Sequence, residues 1–239
     1  MDNRFLREEM LLGSMSMAKL QRSRVAVVGL GGVGSWCAEA LARSGIGTLI
    51  VMDEDTVSET NINRQSIALS STVGRPKAEV MAERIRDIAP DCAVTAVTGR
   101  YEEAQRETLF SLGPFDFIVD AIDLVSCKLD LIQTAIERDI PIVSALGTGN
   151  KADASLLRLC DISKTEGCPL ARVVRKELRY RGIQHLPVVF SPEEGMTCEQ
   201  RETPPPGRRS IPGSLVWVPA SAGMLLCQYV VTELIKNDR

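Results

Sequence analysis

The chain has 239 residues, 44% of them apolar and 25% charged, with a formal net charge of −3. That is soluble-protein composition with length for a full core, and the slight negative charge excludes a general affinity for polyanions, so contact with nucleic acid needs a local basic patch. Seven cysteines without a C-x-x-C pair and a single histidine, His185, argue against a zinc site and a disulfide framework; reduced thiols in a cytoplasmic protein fit instead.

Residues 1–22 read as an amphipathic helix, with Phe5, Met10, Leu11 and Leu12 apolar, followed by a short second turn. Arg4, Arg7, Glu8 and Glu9 interrupt any apolar run there, so no signal peptide is expected. Residues 25–28 are apolar and β-branched, too short for a helix and hence a buried strand. Gly29, Gly31 and Gly34 follow at G-x-G-x-x-G spacing with Gly32 as an extra glycine, and residues 36–43 are apolar at helical intervals. A second strand over 48–52 ends on Asp53. The result is a nucleotide-binding βαβ unit. Its glycines admit a tight turn and bring backbone N–H groups to a phosphate, while Asp53 is placed to accept from a ribose. A dinucleotide and ATP both remain open at this point.

A polar loop spans 54–71, and Gly74-Arg75-Pro76-Lys77 opens a helix that runs to about Ile88, with Pro76 near its first turn. Strands over 93–97, 115–119 and 141–145 alternate with helices over 102–112 and 126–138. The fold class is therefore α/β, a doubly wound, largely parallel, Rossmann-like sheet. Ligands of such sheets lie at the carboxyl ends of strands, where Gly29, Asp53, Asp120 and Asp123 all fall. One site is expected. Past residue 150 the reading is a strand over 155–159, a polar helix over 168–181 and a strand over 187–190. A mobile loop over 191–213, rich in Pro, Gly and charge, comes next. A C-terminal extension of strand (215–218) and helix (221–235) closes the chain. The apolar run 215–235 approaches membrane-spanning length, but Pro219, Gln228 and Glu233 favour a core strand and a buried or interface helix.

The residues beyond the second strand decide the ligand. Arg64, in Asn61-Ile62-Asn63-Arg64-Gln65, can fork onto phosphate oxygens, and Lys77 supplies a point charge. A dehydrogenase has no use for two cations there, whereas an enzyme that moves a nucleotide's phosphates needs them against the charge of departing pyrophosphate. Asp123, after the fourth strand, is placed to hold Mg²⁺ across those phosphates. Each residue alone is ordinary. Surface Arg and Lys are usually solvated, and an Asp after a strand is often a helix cap.

Taken together, GLGGVGS, DEDTVSETNINRQ, GRPKAE and DAID resemble the ThiF/MoeB superfamily, the bacterial relatives of ubiquitin-activating enzymes that adenylate a carboxylate with ATP. The resemblance implies ATP binding by Gly29, Gly31, Gly32, Gly34, Asn61 and Gln65, with Arg64 and Lys77 on the phosphates. It further implies Asp53 on the ribose, Asp123 on Mg²⁺, and a homodimer in which Arg7 of RFLR reaches the partner's ATP. On this basis residues 1–150 form the ATP-binding adenylation region, and 151–239 the substrate and dimer region of the same domain. A carboxylate is already ionised at pH 7, so catalysis reduces to positioning and charge neutralisation.

Sulfur-carrier adenylating members typically hold zinc through two C-x-x-C pairs, which this chain lacks. The second half instead resembles the tRNA threonylcarbamoyladenosine dehydratase family, through GTGNK, DISKTEGCPLARVVRKELRYRGI and PGSLVWVPASAG. That resemblance implies tRNA as substrate and leaves association with cysteine desulfurase or sulfur-acceptor proteins open. Arg172, Arg175, Lys176 and Arg179 recur at three- and four-residue steps as a basic stripe opposite Leu170, Val174 and Leu178, with Arg181, Arg208 and Arg209 as extensions. The resemblance turns this stripe from a solvated helix face into a candidate phosphate-binding face. Among the thiols, Cys198 in the loop and Cys168 before a helix are the candidates for reactivity, and Cys37 and Cys227 are expected in the core. The resemblance implies that the threonyl carboxylate of the modified adenosine is adenylated and that a nitrogen of the same side chain closes the ring and expels AMP, a cyclisation that requires no thiol.

Overall fold

The computed structural model describes residues 3–201 and 211–236. Arg208, Arg209 and the middle of the 191–213 loop lie outside the described residues. In chain order the elements are α1 (Leu6–Leu12), α2 (Ser14–Arg22), β1 (Arg24–Val28), α3 (Gly34–Arg43), β2 (Thr48–Asp53), α4 (Lys77–Ile88), β3 (Ala93–Thr98) and α5 (Arg106–Phe110). They continue with β4 (Phe117–Asp120), α6 (Val125–Glu137), β5 (Ile142–Ala145), β6 (Arg158–Asp161), α7 (Pro169–Tyr180), β7 (Pro187–Phe190) and α8 (Trp217–Ile235).

The strands form one sheet in the order β3-β2-β1-β4-β5-β7-β6, parallel except for the β6–β7 pair. The chain winds outward from β1 to β3, returns to place β4 beside β1, and then builds the other half. Loops leaving β1 and β4 therefore diverge, and a crevice opens at their carboxyl ends. Side chains alternate along each strand, so both faces bury apolar residues. Val25 and Val27 join Leu49, Val51 and Val119 under α2, α3, α4 and α8. Ala26 and Val28 join Ile50, Ile118 and Val188 under α5, α6 and α7. The expected doubly wound α/β architecture is present, and β6 and β7 attach the second half of the chain to the same sheet.

Four local expectations are corrected. The N-terminal helix is broken at Gly13, whose φ of +82° separates α1 from α2. The helix expected over 102–112 is only Arg106–Phe110, preceded by a 3₁₀ turn over Glu103–Gln105. The strand expected at 155 begins at Arg158, because the Asp153 side chain accepts from the Ser155 amide and caps a turn over Ala154–Leu156. The C-terminal strand over 215–218 does not exist. α8 starts at Trp217, so Pro219 lies in a first helical turn, where no backbone donor is needed.

α8 is long and apolar enough to cross a membrane by length and composition, but half of it is buried in the molecule. Val218, Ala222, Leu226 and Val230 are inaccessible to solvent. Gly223 lets it lie on α3: a Cβ there would stand 2.6 Å from the Val33 carbonyl oxygen and 2.9 Å from the Cys37 nitrogen. Both are backbone atoms that cannot swing aside. Gly223→Ala should force the helices apart and cost about 1–3 kcal/mol. Urea denaturation would show it as a lower midpoint at unchanged m-value, and a midpoint equal to the parent's would mean that the close approach is dispensable.

Candidate active site

The glycine turn is built by steric necessity. Gly29 leaves β1 at φ +93°, and a Cβ on it would sit 2.6 Å from the Ala121 carbonyl oxygen. A Cβ on Gly34, the first residue of α3, would collide with the Gly29 carbonyl at 1.8 Å. Gly32 lies against Pro219 and the aliphatic stem of Arg64. Gly31 faces open space, with nothing within 4 Å of its ideal Cβ. The turn thus presents bare backbone at the mouth of the crevice, as a phosphate site requires.

Asp53 ends β2 and grips this turn. One carboxylate oxygen accepts the Leu30 amide at 2.6 Å and the other the Asp55 amide at 2.9 Å. Each oxygen keeps a further lone pair for a ribose hydroxyl. Burial raises the pKa of Asp53, opposed by the charge of Lys77 and the two backbone donors. Lys77 arrives because the chain doubles back: Val57 donates to the Arg75 carbonyl, and Lys77 to that of Asp55, at 2.8 and 2.9 Å. At the first position of α4 its buried ammonium lies 2.7 Å from Asp55 Oδ2 and 4.0 Å from Asp53 Oδ1.

Arg64 is half-buried, and desolvation lowers its pKa from the ordinary guanidinium value. Its Nη1 donates to the Thr60 carbonyl at 2.7 Å and to Asn63 Oδ1 at 3.0 Å, while its own carbonyl accepts from Trp36 Nε1 at 3.0 Å. Asn61 closes a capping box with Ser58, its Oδ1 accepting the Ser58 amide at 3.1 Å. Gln65 is buried, with its side-chain oxygen left without a hydrogen-bond partner. Gly29, Gly31, Gly32, Gly34, Asp53, Asn61, Arg64, Gln65 and Lys77 therefore share one neighbourhood.

Asp123 is exposed on the loop after β4. The loop is anchored from below by Asp120, whose Oδ1 accepts the Ile122 amide at 3.0 Å. Asp120 is itself paired with Lys128 at 2.6 Å, both wholly buried, and Lys128 also donates to Ser144 Oγ and the Ala145 carbonyl. Ala121 packs against Gly29 and Gly34, so this loop lies directly on the glycine turn. A single exposed carboxylate there suits Mg²⁺, which is normally held by one or two carboxylates plus substrate phosphates.

Arg7 is not brought to the site within one chain. α1 sits at the amino ends of the strands, with Arg4 3.9 Å from Asp91 ahead of β3 and Phe5 beside Gly45 ahead of β2. The basic stripe is uneven. Arg172, Lys176 and Arg179 are exposed, but Arg175 is half-buried and donates to the Thr165 carbonyl at 2.6 Å and to its hydroxyl at 2.5 Å. Arg175 therefore serves the fold. Of the thiols, Cys37 and Cys227 lie in the core as expected, and burial pushes Cys227 up to about 12. Cys168 is buried and accepts the Ala171 amide as a helix cap. Cys198 is half-buried beside Asn150 Oδ1 at 3.4 Å.

Sequence reasoning missed Asp55 and Lys128. Asp55 looked like one more polar loop residue. Lys128 could have been found, because it falls beside Cys127, Leu131 and Ile132 on the buried face of α6, where a cation demands a buried acid. Lys151 was also missed: buried, it donates to the carbonyls of Ser191 and Glu193 and fastens the loop after β5 to that after β7.

Fold and site together define a nucleotide-binding α/β protein with cations and an acid set for phosphate chemistry. The chain belongs to the ThiF family, whose model matches residues 5–236. It is 40% identical over 244 residues to the tRNA threonylcarbamoyladenosine dehydratase of Bacillus subtilis, covering 98% of this chain and 96% of that protein. The crystal structure of the Escherichia coli tRNA N6-threonylcarbamoyladenosine dehydratase, TcdA, in complex with ATP superposes with a TM-score of 0.88. That match has 35% identity and covers 98% of this chain and 95% of that one. The molybdopterin-synthase adenylyltransferase of Escherichia coli is 35% identical over 125 residues, 52% of this chain and 49% of that protein.

Lys128→Met would leave Asp120 charged and unpaired in the core, at a cost of about 3–5 kcal/mol. Denaturant melts should show the loss, with partial recovery in the double variant Asp120→Asn, Lys128→Met. A single variant as stable as the parent would mean that the pair does not hold the loop.

Proposed function

We propose that the protein is an ATP-dependent tRNA threonylcarbamoyladenosine dehydratase. It adenylates the threonyl carboxylate of the modified adenosine and closes that side chain to the cyclic form with release of AMP. The observation that carries the reading is the buried ammonium of Lys77 beside Asp53, the acid that also holds the glycine turn. It is supported by similarity over nearly the whole chain to a relative named for this activity, and by a similar enzyme solved with ATP. ATP would lie with its phosphates over Gly29, Gly31, Gly32 and Gly34 and its ribose on Asp53. The carboxylate oxygen attacks the α-phosphorus and pyrophosphate leaves. Arg64 and Lys77 neutralise the charge that builds on it. Mg²⁺, held by Asp123, would supply further neutralisation across the phosphates. A nitrogen of the same side chain then attacks the activated acyl carbon and expels AMP. The substrate carboxylate needs no general base, so the site has no call on His185.

The adenylation of a sulfur carrier's carboxylate would use the same ATP half, but the molybdopterin-synthase adenylyltransferase of Escherichia coli matches about half of this chain, against nearly all of it for the dehydratase of Bacillus subtilis. A nicotinamide-dependent dehydrogenase leaves Arg64 and Lys77 without a joint task. A homodimer completes the picture, because Arg7 can serve an ATP only across a dimer. Leu6, Met10, Leu11 and Met15, exposed on α1 and α2, supply an apolar surface for it. We place the enzyme in the cytoplasm, where tRNA and ATP meet.

Incubation with tRNA carrying the open-chain nucleoside, ATP and Mg²⁺ should convert that nucleoside to the cyclic form with stoichiometric AMP. Lys77→Ala should slow conversion about 10²–10³-fold. An unchanged nucleoside, together with pyrophosphate exchange stimulated by a small carrier protein, would overturn the substrate. Mixing inactive Arg7→Ala and Lys77→Ala proteins should restore activity, since each mixed dimer regains one intact site; a mixture as inactive as its parts would refute the role of Arg7 in a partner's site.

A further inference from the structure

The solvent face of α7 differs in charge from the rest of the molecule. Residues 169–181 carry Arg172, Arg175, Lys176, Arg179 and Arg181 against the single acid Glu177, in a chain of net charge −3. Arg175 is committed to Thr165, and Arg181 donates to Gln133 Oε1 at 3.1 Å. Arg172, Lys176 and Arg179 remain exposed along about 10 Å of helix. Beside them stands Tyr180, 75% exposed, the most exposed aromatic side chain among the described residues. The Lys176 ammonium hovers 5.7 Å from its ring centroid, a loose contact that leaves the ring open to water.

The helix is also well placed. Its first turn abuts the segment that leaves the carboxyl end of β5, where Cys168 and Leu170 approach Gly147. α7 therefore starts at the edge of the sheet that carries the nucleotide site, and Tyr180 lies about 17 Å further along its axis. Cations beside an open aromatic ring are what single-stranded nucleic acid needs: phosphates meet the charges, and an unpaired base finds a flat surface. A duplex offers no free base face to such a ring.

We propose that this face is an RNA-binding surface on which Tyr180 stacks against an unpaired base, while Arg172, Lys176 and Arg179 hold neighbouring phosphates. The proposal rests on the tRNA substrate named above and adds which surface holds the RNA and by what contacts. Arg175, although in the same stripe, takes no part.

The test is fluorescence anisotropy of the full chain with a labelled anticodon stem–loop RNA and with a fully paired RNA of equal length, over a range of salt. Tyr180→Ala should weaken stem–loop binding about tenfold at unchanged salt slope, and leave the paired RNA unaffected. Tyr180→Phe should bind like the parent, because stacking needs the ring and not the hydroxyl. Arg172→Ala with Arg179→Ala should weaken both RNAs and flatten the salt slope by about 1–2. Equal stem–loop affinity for Tyr180→Ala and parent overturns the stacking proposal while conversion of tRNA by the parent upholds the substrate. A parent that neither binds nor converts tRNA overturns both. A Tyr180→Ala protein with altered oligomeric state and unchanged RNA affinity would assign the face to protein contact instead.

Discussion

The carboxylate of Asp53 is the contact on which the site depends. It closes the glycine turn through Leu30, orders the acidic segment through Asp55, and sits within 4.0 Å of the Lys77 ammonium. Three stretches far apart in sequence thereby acquire one geometry. Burial disfavours the ionised carboxylate and keeps its pKa raised, and the lysine and the two amides offset part of that penalty. Hydrogen bonds from backbone donors to an ionised group are among the stronger ones available to a protein. A residue suited to a ribose is therefore also the knot of the fold around it.

A second constraint works from beneath. The winding of the chain reverses between β1 and β4, and the loop after β4 must lie on the glycine turn without filling it. Ala121 and Gly29 meet backbone to backbone, and the buried Asp120–Lys128 pair, tied to Ser144, keeps the loop there. The position of Asp123 follows from that anchorage. Helix α8 closes the same neighbourhood from the side, through Pro219 against Gly32 and Gly223 against α3.

Much of this was legible in the residues. The glycine spacing, Asp53 and the alternation of apolar strands with helices fix the nucleotide-binding half, because each is a local pattern with a steric cause. The cations at 64 and 77 could be named but not placed: their arrival depends on the pairing of the Val57 and Arg75 segments, a tertiary event. The C-terminal reading failed for the same kind of reason. Val216, Trp217 and Val218 look like strand residues, yet Gly223 offers α3 a surface that only a helix can use. Arg175 shows the limit of periodicity. Spacing puts it on the basic face, and the turn of chain ending at Thr165 binds its guanidinium and leaves the side chain half-buried. Lys128 was readable in principle and overlooked, since a cation on a buried helix face predicts its own partner.

The sealing of the Lys128 ammonium has one more consequence. Mobile ions weaken attractions between charges that water can reach, and they do not enter a site with no accessible surface. The anchor under the Asp123 loop is thus indifferent to ionic strength, whereas the fringe of cations on α7 is fully open to it. High-salt buffers should strip bound polyanions from the protein during purification while the nucleotide pocket keeps its shape.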